Sequence, residues 1–149
     1  MSLQFIIAYI HLLTLGIGFY AIWARANALK KLKDTEGLSA VFRADNLWGL
    51  ASGLWIVSGL LRAFAGLEKG TDYYLHSTAF GIKMILFLLV FIFEWQPMIA
   101  LIKWRKKIKK GQAVDLSQAS KFGLLSQIEL GLLAVIILFA IATARGVWY

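Results

Sequence analysis

Four stretches of the chain are apolar around the whole circumference of a helix, and three polar intervals separate them. The stretches cover residues 3–24, 46–65, 78–102 and 122–144. Each has the length of about 20 residues that a helix needs to cross ~30 Å of hydrocarbon. A helix lying on a soluble core would show a polar stripe every turn, and none of these does. The pattern therefore predicts an all-α integral membrane four-helix bundle, a single domain over residues 1–149. The first stretch follows Met1-Ser2-Leu3-Gln4, without the basic n-region of a secretory signal, and is too long for one. It is read as helix 1. Pro97, near the end of the third stretch, is expected to kink or loosen the last turn.

Composition agrees, with 60% hydrophobic residues and a mean hydropathy of +0.71. The chain has no cysteine, which excludes disulfides, iron–sulfur clusters and thiolate zinc sites. The net charge of +8 would suggest nucleic acid in a soluble protein. Here 12 of the 16 Lys and Arg fall in the intervals 25–45 and 103–121, whereas the other side has Arg62, Lys69 and Arg145. That asymmetry sets both termini on the non-cytoplasmic side of a bacterial inner membrane. It assigns the basic loops to anionic lipids and argues against nucleic acid. Trp23, Trp48, Trp95 and Trp104 are expected at the inner interface, and Tyr73, Tyr74, Trp148 and Tyr149 at the outer one. Gly49-x-x-x-Gly53 and Gly59-x-x-x-Ala63 form a strip of small residues that would make helix 2 central.

Ionisable residues inside spans cost about 2.5–3.5 kcal/mol each at mid-helix, so each needs a reason. An outer group holds His11, Arg62, His76 and Lys83. His11 lies roughly 12 Å and Lys83 roughly 8 Å below the outer surface. Helical spacing puts His76, Lys83 and Glu94 on one stripe of helix 3. The plainer readings are an imidazole bonded to Thr14 or Ser58, a snorkelling lysine and an interfacial His76. An inner group holds Arg43, Asp45, Glu94 and Glu129, expected as a structural salt-bridge cluster in which Arg43 pairs the carboxylates, or as part of a proton path.

The segments AYIHLLTLG, FRADNLWGLASGLWIVSGLLR and YYLHSTAFGIKMILFLL resemble, over nearly the whole chain, a bacterial four-span membrane family filed as a domain of unknown function. Its most specific pieces are Arg43-Ala-Asp45, Gly59-Leu-Leu-Arg62 and His76 with Lys83. More distantly, the placement of His11 and Lys83 is similar to that in HemJ-type protoporphyrinogen oxidases and CopD-like membrane domains. That resemblance implies a haem b with His11 and Lys83 as iron ligands, Arg62 near a propionate and His76 close by. The oxidase pattern has a histidine where this chain has Gly81.

Two functions follow. One is a haem-binding membrane redox protein, a haem-dependent oxidoreductase. The other is a non-enzymatic component, a solute or ion permeation element or an assembly partner, with Lys83, Glu94 and Glu129 lining a hydrated path. Four spans without an inverted repeat would then require a homo-oligomer. No nucleophile elbow, H-E-x-x-H motif or P-loop supports hydrolysis.

Overall fold

The computed structural model describes residues 2–148, so Tyr149 lies outside the described residues. Four long helices, α1 (Leu3–Lys31), α2 (Leu38–Phe64), α4 (Thr78–Lys109) and α5 (Ala119–Arg145), form the bundle. A short α3 (Thr71–His76) lies across one end. All four long helices are long and apolar enough to span a membrane. Their outward faces carry large exposed side chains such as Leu12, Leu50, Ile85 and Leu138, each more than 60% exposed. In water such a surface would aggregate; in a bilayer it is the solvated face.

The helices are longer than the apolar runs. The first ionisable residue, Arg25, ends the hydropathy signal, yet the Ala- and Lys-rich stretch after it has good helix propensity and carries α1 on to Lys31. The connection to α2 shrinks to residues 32–37, where Asp34 accepts the backbone N–H groups of Glu36 and Gly37. The start of α2 is amphipathic, burying Leu38, Val41, Ala44 and Trp48 at three- and four-residue steps. α4 runs unbroken through the buried Pro97 to Lys109, so the proline does not end the helix.

α1 and α5, and not α2, hold the middle of the bundle: α1 packs on both α2 and α5, and α5 packs on both α1 and α4. Two glycines permit this closeness. Gly18 faces Trp48 and Ala51 on α2, and Gly123 of α5 faces the α1 backbone at Ala26 and Lys30. The expected small-residue strip divides instead. Gly49 and Gly53 point outward with nothing near them, whereas Gly59 supports the His11 ring and Ala63 is buried.

The core has three layers. Near the basic loops lie Leu29, Leu38, Val41, Leu101, Trp104, Ala119 and Phe122. Ala21, Ile22, Trp48, Val90, Leu133 and Ile136 form the middle layer. Ala63, Tyr74 and Phe80 close the other end. Trp48, Trp104 and Tyr74 are thus core residues and not members of interfacial belts, whereas Trp23, Trp95 and Trp148 remain more than half exposed. At the closed end Lys69 Nζ and Tyr73 Oη donate to the last carbonyls of α5, Ala144 at 2.8 Å and Thr143 at 2.9 Å. Thr143 O also accepts the N–H of the C-cap Gly146 at 3.2 Å, so both side chains help to satisfy carbonyls at the end of the helix.

Candidate functional site

Between the basic-end layer and the middle layer sits a cluster built around Arg25, whose side chain is fully buried. The burial stripe of α1 runs Thr14, Gly18, Ala21, Ile22, Arg25, Ala26, Leu29, so the guanidinium enters on the small-residue face of the helix. Each of its five N–H groups has a partner. Nε donates to Ser126 at 3.1 Å; Nη1 donates to Asp45 at 3.0 Å and Glu94 at 2.8 Å. Nη2 donates to Glu94 at 2.6 Å and Glu129 at 3.0 Å. One side chain of α1 thereby ties α2, α4 and α5 together with charge-assisted bonds, two of them the bidentate pair on Glu94.

The carboxylates are unequally supplied. Glu94 also accepts the Trp48 indole N–H at 3.1 Å. The second oxygen of Asp45 accepts Arg105 Nη2 at 2.8 Å, and that guanidinium stacks on Phe42 with 4.5 Å to the ring centroid. Glu129 is fully buried and receives a single bond, on Oε2; its Oε1 has no hydrogen-bond partner. The Asp45 and Glu94 side chains keep 20% and 15% exposure, so the cluster touches its surroundings through them.

The expected pairing of Arg43 with these acids is corrected. Arg43 is exposed and forms no ion pair among the described residues. Arg25 and Arg105, both assigned to loops from sequence, occupy the place intended for it. Arg25 lies on the buried stripe of α1, which the basic stretch after it conceals in the sequence. For Arg105 the available signal was the eleven-residue step from Glu94, close to three turns of one helix.

The outer group converges only in part. His11 Nδ1 and Ser58 Oγ are 2.9 Å apart, and Ser58 gives its one proton to Leu54 O at 2.7 Å. Nδ1 of His11 is therefore the protonated nitrogen and donates to Ser58. Thr14, the other hydroxyl considered, bonds backbone carbonyls instead. The His11 ring stacks on Trp55 at 5.7 Å, and Trp55 meets Phe87 edge to face at 5.6 Å. Lys83 Nζ lies 4.7 Å from the Phe80 ring centroid. Arg62 is held by Glu68 at 2.7 Å. Burial first, then the Glu68 carboxylate, pushes the Tyr74 phenol up from its ordinary value. His76 leaves the group. It ends α3 and is exposed, with Nδ1 2.9 Å from Asp72 O, and the break at Ser77 separates it from Lys83 and Glu94.

Lys83 and Glu94 do share one face of α4, but the middle apolar layer lies between them, Val90 included. The hydrated path expected from the outer mouth to the inner acids is interrupted there. Among the described residues, no group of three or more His, Cys, Asp or Glu is arranged to hold a metal ion.

No curated protein and no solved structure matches the chain. A family model does, over residues 3–148, with the description "Predicted membrane protein (DUF2214)". Four helices long and apolar enough to span a membrane agree with that description, and the chain belongs to the DUF2214 family of membrane proteins.

Proposed function

We propose that this protein is a non-enzymatic membrane component whose Arg25 cluster takes up and releases a proton from the side of its basic loops. The observation that carries the reading is the charge count. Asp45, Glu94 and Glu129 face two guanidinium groups, Arg25 and Arg105, and Glu129 Oε1 is buried without a partner. An uncompensated charge in such a place costs several kcal/mol. A proton on the third carboxyl group removes that cost, and Glu129, with a single donor, is the group to hold it. Access is one-sided in this reading. Asp45 and Glu94 are the partly exposed acids of the cluster and Arg105 joins it from the basic end, while Ile22, Val90, Leu133 and Ile136 close the opposite side. Because Arg25 bonds to three helices besides its own, gain or loss of that proton redistributes bonds that hold the bundle together. A proton-coupled element that acts by helix rearrangement thus takes the place of a continuous permeation path.

A pH step in oriented proteoliposomes tests the sidedness. When the bath contacts the basic loops, the step should change the carboxylic-acid C=O stretch of the protein; applied to the opposite face it should not. Equal responses from both faces, or none from either, would contradict the proposal.

The haem reading is favoured by one observation, that the Ser58 bond leaves Nε2 of His11 with a free lone pair. The surrounding residues do not fit the group. Trp55 stacks on the His11 ring, Arg62 is already paired by Glu68, and His76 is exposed. Protein purified after haem-replete expression should lack a Soret band. A band that disappears in His11→Ala would restore the haem reading.

A further inference from the structure

Beyond the proton site, a groove at the basic end has a polarity of its own. A cavity of about 550 Å³ runs along α4 from Trp95 to Lys107, with the 110–118 connection and the start of α5 as its other wall. The volume lies within the ~300–1,000 Å³ of small-molecule sites. At helical rise the groove extends ~18 Å along α4, roughly parallel to the membrane normal. Its membrane end is walled by Trp95 and Ile99, with the Gln96 amide between them, and the paired rings of Trp104 and Phe122 wall its middle. Its distal end has Lys103 and Lys107, one turn apart on one face, facing Asp115 across the gap. The Ser117 backbone N–H, which Asp115 accepts at 2.9 Å, holds the Asp115 carboxyl below its ordinary range, so it is an ionised acceptor.

An apolar wall toward the membrane and paired cations beyond it match the polarity of a phospholipid standing in its own leaflet. Two lysines against one aspartate leave a single net positive charge, which suits a phosphodiester monoanion. The aspartate accepts from hydroxyl groups on the headgroup. We infer that this groove binds one phospholipid of the phosphatidylglycerol class, with its phosphate between Lys103 and Lys107 and an acyl chain along Trp95 and Ile99. The general attraction of the basic loops for anionic lipid thereby gains a defined site.

Native mass spectrometry of the full chain, released from nanodiscs containing equal phosphatidylglycerol and phosphatidylethanolamine, tests this. Wild type should retain one phosphatidylglycerol. The double variant Lys103→Gln/Lys107→Gln should retain on the order of tenfold less. Lys109→Gln/Lys110→Gln, which removes the same charge outside the groove, should retain as much as wild type. Equal loss in both variants would mean diffuse attraction and overturn the site. Equal retention of phosphatidylethanolamine would overturn the headgroup assignment. Displacement of the lipid by inorganic phosphate would reduce the groove to a simple anion site, and that also would overturn the inference. A far-ultraviolet helical spectrum and melting curve matching wild type separate lipid loss from misfolding.

Discussion

At the scale of single residues, Arg25 carries the account. All five of its donors are used and its side chain is fully buried, so removing it leaves Asp45, Glu94 and Glu129 facing Arg105 alone. Arg25→Gln should cost about 3–5 kcal/mol, the penalty for breaking a buried ion cluster by deleting one partner. Arg43→Gln, at an exposed position, should stay within about 0.5 kcal/mol. Denaturant unfolding in detergent would check both, and equal effects would restore Arg43 to the cluster. The three acids were legible in sequence because intramembrane carboxylates demand an explanation wherever they occur. Their cation was not, because Arg25 begins a basic stretch that reads as loop, and only the three-dimensional register turns it inward. His76 failed for the opposite reason. Its spacing to Lys83 suits one continuous helix, and the break at Ser77 removes that assumption.

At the scale of elements, hydropathy located four helices but not their lengths. α1 and α4 each pass the end of their apolar run by about two turns, and α2 begins two turns early, because those extensions pack at the basic end through Leu29, Leu38, Val41 and Trp104. Much of that small core lies beyond the apolar runs, where hydropathy is silent and amphipathic spacing carries the signal. Which helix is central was likewise hidden, since a glycine pattern does not say which way the glycines face. The packing gives a contrast to measure. A Cβ on Gly123 would lie 3.1 Å from Ala26 O and 3.2 Å from Lys30 N, both backbone atoms. Gly123→Val should therefore destabilise by about 1–3 kcal/mol through forced separation of α1 and α5. Gly49→Ala, in open space on α2, should be neutral or stabilise by up to about 1 kcal/mol. Thermal melts of the two variants would decide, and a larger loss at Gly49 would return the small-residue strip to the bundle interior.

At the scale of the whole molecule, charge and apolar layers divide the bundle into two unlike halves. Two of the twelve basic residues assigned to the inner loops turn into the bundle, and the other ten still outnumber the three at the opposite end. The orientation argument therefore survives their loss. The half beneath the termini is pinned shut by α3 contacts to the end of α5, while the other half holds the charge cluster and the lipid groove. The central claim is that the cluster keeps one carboxyl group protonated and that the group is Glu129. The infrared spectrum of the purified protein beside that of Glu129→Gln tests it most directly. Wild type should show a carboxylic-acid C=O band that Glu129→Gln lacks. No such band in wild type, or one that persists unchanged in the variant, would contradict the account.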